Sequence, residues 1–449
     1  MQDAVTTPPD EYEAIILPIF EVGRSFKRWA TALGCVVLWA AFAWVWQVSH
    51  GLGMTGLGRP IYWGLYITNF VFFIGVSHAG TLISAILRLV GAEWRRPITR
   101  MAEFITVLVL FFGVGNVLLD LGRPDRALFI ALHPHLRSPL LWDVSSISVY
   151  LTASTFYLWL PLIPDIARLR DYTARMGGWR HTIYTKLAIG WTGTPEHKHR
   201  LERIIGVMAI VVIPIAVSVH TVVSWVFAMT IQPMWHSTIF GPYFVVGAIF
   251  SGIAAIIIAM AIVRRAYGLE KFLKPIHFNN LGLLMLVMCC LWFYFTFAEY
   301  LTTWYAHEPN EIAVFDAKFF GRFSPYFWMM VVTCFVVPFT ILANNRTRTI
   351  KWTVIASISV SIGMWLERFA IVVPTLSNPR APIHTFSYHP SWVEWSLMAG
   401  CFAAFTLLYM SFTKLFPVIS IWELEDEAAA AMAPVPHAEV RRPLVPTEG

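Results

Sequence analysis

Ten runs of about 20 or more predominantly apolar residues divide this chain. They lie near 29–49, 62–87, 102–120, 141–164, 204–231, 241–263, 279–304, 325–344, 352–375 and 392–416. Each is long enough to cross a hydrocarbon core of about 30 Å as a helix. Hydrocarbon offers backbone N–H and C=O groups no partner, so each run must close its hydrogen bonds within itself. The expected fold class is an all-α membrane protein with ten transmembrane helices. Composition agrees: of 449 residues, 57% are hydrophobic and 13% charged, with 20 Trp and 33 Phe.

Lysine and arginine set the expected direction. With the N-terminus cytoplasmic, the inner segments hold 25 of the 33 Lys and Arg residues and the outer loops seven, while Arg368 lies within a span. Both termini are therefore expected on the cytoplasmic side. The basic residues alternate with apolar runs and form no single patch, which excludes nucleic acid as an expected partner. The inner segment 165–203 carries eight of them, a charge suited to the anionic inner leaflet or to a partner. The start, "MQDAVTTPPDEYEAIILPIF", has no basic n-region or cleavage site, so the first span is expected to be retained. The end, 421–449, is polar and proline-rich and is expected to be a loose cytoplasmic tail. The five cysteines form no C-x-x-C and no C-x-x-C-H. No iron–sulfur motif, no covalent haem site and no metal site is expected in this chain.

Two local matches suggest an internal repeat. "VFFIGVSHAGTLISA" (71–85) resembles "YFVVGAIFSGIAAII" (243–257), bringing Phe72, Gly75 and Gly80 onto Phe244, Gly247 and Gly252. "SPLLWD" (138–143) resembles "SPYFWM" (324–329). Four spans separate the members of each pair, so the copies run the same way. This predicts two four-helix bundles, spans 2–5 (62–231) and spans 6–9 (232–375). Span 1 with its outer loop (29–61) and an outer loop with span 10 (376–420) flank them, beyond the N-terminal segment 1–28. In this register His78 faces Phe250, and Asp143 faces Met329. The first bundle keeps polar groups where the second has apolar ones, which places the expected working site in the first.

Ionisable residues inside spans cost roughly 2–3 kcal/mol each and usually have a partner and a role. His78 and His220 lie deep in spans 2 and 5. Either is a histidine hydrogen-bonded in a bundle core, or the two are axial ligands of a b-type haem, or they serve a proton-coupled ligand site. Asp143 opens span 4, where it either caps the helix or accepts a proton beside a hydroxylated ligand. Asp120 ends span 3 at the outer surface. Glu103, Glu299, Glu367 and Arg368 are candidates for an ion or proton path. Adjacent residues on a helix point about 100° apart, so Glu367 and Arg368 need not pair with each other.

At these residues a family resemblance becomes usable. "VSHAGTLISAILRL", "SPLLWDVSSISVY", "WHSTIFGPYFVVGAIFSG" and "MWLERFAIVV" resemble the NrfD-like, polysulfide-reductase-type membrane subunits. More narrowly, they resemble the larger quinol-binding subunit (ActC) of bacterial alternative complex III. The resemblance implies a quinol-oxidising integral subunit of the bacterial inner membrane that carries no haem or iron–sulfur cluster. It implies electron transfer to a periplasmic iron–sulfur subunit and c-type haem subunits, with a second NrfD-like membrane subunit and lipids as neighbours. The quinol is menaquinol or ubiquinol, and its protons go to the periplasm, with or without further proton translocation. Carried over residue by residue, the quinol-site candidates are His78 and Asp143 as the catalytic pair, with Thr81 and His220 beside them. One departure stands in span 5. An acid is expected shortly after "VVS", where this chain reads "VVSWVFAMT" with Val226. Two other readings remain at this point: a haem-b membrane anchor of a molybdoenzyme-type reductase, and a secondary transporter, although the repeats are parallel rather than inverted.

Overall fold

A computed structural model describes residues 10–380 and 388–432. Among the described residues ten helices are long and apolar enough to cross a membrane, one for each apolar run. They are span 1 (Arg24–His50), span 2 (Leu65–Leu89), span 3 (Glu93–Asp120), span 4 (Pro139–Thr173) and span 5 (Pro195–Ala228). Span 6 (Phe240–Ala266), span 7 (Pro275–Ala306), span 8 (Ser324–Leu342), span 9 (Ile350–Ser377) and span 10 (Trp392–Phe412) follow. Several open with proline in the first turn, where its missing N–H leaves no bond unmade. Span 10 opens with a capping box, in which Ser391 and Glu394 satisfy each other's backbone N–H groups. Span 8 is the irregular one. A π-helical turn, Val332–Val336, precedes Pro338, where a ring without an N–H disturbs the regular ladder.

Span 2 is the centre of the packing. Its apolar window is 87% buried, against 11% for span 1, and it packs on spans 3, 5, 6, 9 and 10. Its tightest approach is at Gly80, where an added β-carbon would overlap the Thr106 hydroxyl and the Ala102 carbonyl of span 3. Spans 3–4, 4–5, 6–7, 7–8, 8–9 and 6–9 are also in contact, and span 1 lies chiefly against span 10. Ala40 and Gly400 permit that last approach, since a β-carbon at Gly400 would overlap the Ala40 methyl. Small residues at helix crossings are the usual means of close packing where no hydrophobic drive separates helix from lipid.

Ten crossings bring both ends of the described chain to one face, here termed the terminal face; the opposite one is the far face. At the terminal face the Lys414 ammonium donates to the Pro18 and Glu21 carbonyls, at 2.6 and 3.0 Å. The expectation of a loose tail is corrected over its first part. Ile421–Met432 is a helix, and its start is buried: Ile421, Trp422 and Glu423 are at most 6% exposed. Its N-terminus is held by Asp165, whose two carboxylate oxygens accept the Ile421 and Trp422 N–H groups at 3.1 Å each. Arg100 pairs with the same carboxylate at 2.5 Å, and Glu423 receives Arg88 and Arg95 at 3.3 and 3.4 Å. Residues 1–9, the loop interior 381–387 and the tail beyond 432 lie outside the described residues.

Replacing Gly80 by Ala is expected to cost about 1–3 kcal/mol, the usual cost of overpacking. Gly115→Ala, with nothing within 4 Å of its new β-carbon, is the neutral control. Thermal unfolding of the detergent-solubilised protein checks this; equal melting of the two variants would contradict the close approach of spans 2 and 3.

Candidate functional site

Two histidines from two spans meet in the core. His78 of span 2 and His220 of span 5 are 0% and 2% exposed. Their ring centroids are 3.5 Å apart at 47°. His78 Nε2 hydrogen-bonds the Ala216 carbonyl, one turn before His220. A carbonyl only accepts, so Nε2 carries the hydrogen and Nδ1 presents a lone pair. The Nδ1 of His220 has no hydrogen-bond partner among the described residues, and that of His78 has none of good geometry, with only the Ile74 carbonyl of its own helix close by. Unfilled nitrogens in a buried core are expensive, and a hydroxyl or water would satisfy them. Rings this close leave no room for an iron and a porphyrin plane between them, so this pair does not fit the bis-histidine haem.

Span 4 supplies the third wall. Asp143, Tyr150 and Tyr157 recur at seven-residue steps, two helical turns or about 10 Å each, and are 6%, 0% and 1% exposed. Seven-residue spacing puts them on one face. The Tyr150 ring lies 5.3 Å from the His78 ring. Its hydroxyl donates to the Ser77 carbonyl at 3.0 Å, a carbonyl that also accepts from Thr106 at 2.8 Å. Towards the terminal face, Ser84 donates to Glu103 Oε1 at 2.7 Å, and Tyr157 feels that carboxylate. Towards the far face, Asp143 stands alone: its Oδ1 is buried without a partner among the described residues. It does not cap the helix, since Ser138 occupies the cap position and the first turn holds no acid.

The structure thus brings His78 and His220 together beside Tyr150 and sets Asp143 about two turns further out than Tyr150 on the same face of span 4. A single ring cannot touch both levels. The Thr81 side chain lies outside the described residues. Tyr150, Tyr157, Ser77 and Thr106 were not singled out from the sequence. The signal for the two tyrosines was the seven-residue spacing from Asp143 in "WDVSSISVYLTASTFY".

The other candidates lie elsewhere. Glu367 and Arg368 in span 9 are each 1% exposed and lie 2.9 Å apart. They meet each other after all, because their side chains are long enough to close the 100° between them. The guanidinium sits 4.9 Å over the Phe244 ring and abuts Gly75 and Gly247, the two glycines matched in the internal repeat. Neither group of the pair has a good hydrogen bond among the described residues. Half-buried Asp120 ends span 3 near Glu394. Glu394 is fully buried and takes N–H groups from Gly56 and Ser391, at 2.7 and 2.8 Å, and the Tyr388 hydroxyl. Glu299 in span 7 accepts from Ser237 at 2.6 Å. A larger cleft, about 270 Å³, opens at the terminal face beside Trp191 and Trp422. Its cations are already paired, Arg168 with Glu425, Lys198 with Asp426 and Arg170 with Asp171, and it does not reach the histidines.

This is a multi-pass integral membrane protein, helical across its described spans, with several titratable groups buried between them. Among the described residues no cluster of three His, Cys, Asp or Glu side chains is arranged to hold a metal ion. The chain belongs to the polysulphide reductase NrfD family, whose sequence model matches residues 53–378. It is 26% identical to a putative membrane subunit of dimethyl sulfoxide reductase from Halobacterium salinarum, over 73% of this chain and 72% of that one. It is 23% identical to a selenate reductase subunit of Mesobacillus selenatarsenatis, over 88% and 95%. It is 22% identical to an Hdr-like menaquinol oxidoreductase integral membrane subunit of Archaeoglobus fulgidus, over 90% and 97%.

Proposed function

We propose that this chain is the quinol-binding, quinol-oxidising membrane subunit of an electron-transfer complex in a bacterial inner membrane. The observation that carries this reading is the pair of unfilled imidazole nitrogens at His78 and His220, with an unfilled Asp143 carboxylate oxygen further out on the facing span. Family membership and a relative described as a menaquinol oxidoreductase subunit support it. Spans 2–5 and 6–9 form two four-helix bundles, and the terminal face is cytoplasmic.

Oxidising a quinol removes two protons and two electrons. The ring enters the first bundle from lipid and presents a hydroxyl to Asp143, near the periplasmic face. The His78–His220 pair lies one level deeper and relays protons through its ring nitrogens. This chain's residues bind the ring and take its protons; the electrons leave to a periplasmic iron–sulfur subunit, then to c-type haem subunits. The arrangement is that of alternative complex III, with menaquinol or ubiquinol as donor and a second NrfD-like subunit alongside.

His78→Ala and Asp143→Asn are each expected to lower quinol oxidation by about 10²–10⁴-fold, the range for losing a general base, while the subunits still co-purify. Unchanged turnover in both variants would contradict the assignment. The polar column through Tyr150, Ser84, Tyr157 and Glu103 extends the site towards the cytoplasm and suits proton translocation. Glu103→Gln is then expected to reduce proton uptake from the terminal side in liposomes; equal uptake would remove Glu103 from the path.

A further inference from the structure

A buried cation in the second bundle has no place in the mechanism above. Lys318 lies near the end of a short helix, Pro309–Phe319, at the far face between spans 7 and 8. Its side chain turns inward and is 3% exposed. Nζ donates to the Tyr300 hydroxyl at 3.3 Å, lies 4.0 Å from Met234 Sδ and sits 5.4 Å from the Tyr300 ring centroid. All three contacts are neutral.

The charges around it are few. Glu299 of span 7 borders the same cavity, about 30 Å³ in volume and lined also by Tyr243, Thr296 and Tyr300. That is room for a water. Glu299 is engaged by Ser237. Glu367 of span 9 acts on Lys318 from further away and is paired with Arg368. On its own helix Asp316 is exposed, and Glu311 is 3.1 Å from His236. Span 8 brings no charge, only Tyr326. Among the described residues no carboxylate reaches ion-pair distance of Nζ. A structural lysine usually carries its ammonium to the surface or to an acid; this one is buried and, among the described residues, pairs with no acid.

We propose that Lys318 and Glu299 form a proton-exchange site at the far end of the second bundle, in which the Lys318 amine takes up and releases a proton through water in the shared cavity. The step is the simple equilibrium of ammonium with amine plus proton, the proton passing to the far-face solution. This deepens the reading that protons leave at the far face, and rests on it. Burial pushes the Lys318 ammonium down to about 8, with Glu299 and Glu367 opposing the shift. Below that pH the group is charged; above it, neutral.

Competitive acetylation of the intact purified complex with acetic anhydride, across about pH 6–11, reads this directly. Mass spectrometry follows the Lys318 peptide, with exposed Lys27 as reference in the same sample. The midpoint for Lys318 is expected near 8, and Glu299→Gln is expected to lower it further by removing a stabilising negative charge. A midpoint equal to that of Lys27, or no acetylation at any pH, would overturn the proposal. In turnover, Lys318→Met and Lys318→Arg are both expected to slow quinol-driven proton release by about tenfold, since neither exchanges a proton there. Full rescue by Arg would mean a structural cation and would overturn it too. If the intact complex oxidises no quinol at all, the proposed function fails, yet the acetylation midpoint still decides the case for Lys318.

Discussion

Hydrocarbon supplies no hydrogen bonds, and span 2 runs through the middle of a structure built under that constraint. Every polar atom it carries must find a partner on a neighbouring helix or go without. Most find one: the Ser77 carbonyl takes two hydroxyls, and Ser84 reaches Glu103. The close approach at Gly80 makes these contacts possible, because it lets span 3 lie directly against span 2. Several buried atoms go unfilled, among them those of Thr68 and Asn69 in span 2 and Tyr157 in span 4; those of His78, His220 and Asp143 are the imidazole and carboxylate members between spans 2, 4 and 5. They occur in the best-packed part of the molecule, where an orphaned polar atom is least tolerable on structural grounds alone.

The two halves of the chain treat buried charge differently. In the first, the Arg100–Asp165 ion pair sits at the terminal face, and between the spans neutral and titratable groups form a column along one face of span 4. In the second, the ionic groups Glu299, Lys318, Glu367 and Arg368 gather around spans 6, 7 and 9. Arg368 joins the halves, since its guanidinium lies against glycines of both span 2 and span 6. The matched pairs His78/Phe250 and Asp143/Met329 pointed to a working site in the first half. The polar groups of the second half occupy other positions, which a position-by-position comparison does not register.

The ten spans were legible because hydropathy over about 20 residues is decided by solvent, and solvent acts locally along the chain. Span ends were less so. Span 4 runs to Thr173 and span 5 starts at Pro195, because these helices continue past the hydrocarbon into polar sequence. His78 was visible as a charge-bearing residue in an apolar run. Tyr150 and Tyr157 were not, since an aromatic ring reads as apolar while its hydroxyl makes the polar contact. Lys318 entered the sequence reading only as one of the seven outer-loop cations; its inward turn is visible in the structure alone. The docked C-terminal helix depends on Asp165 and Arg100, residues separated from it by hundreds of positions, and no local pattern announces such a contact.

The central claim is that quinol binds in the first bundle between spans 2, 4 and 5. A photoreactive quinone analogue, cross-linked to the intact complex and mapped by peptide mass spectrometry, tests it most directly. Labelled peptides are expected from the first two turns of span 4, around Asp143, and from the facing part of span 2, with labelling suppressed by excess quinol. Labelling confined to spans 6–9, or unaffected by quinol, would contradict it.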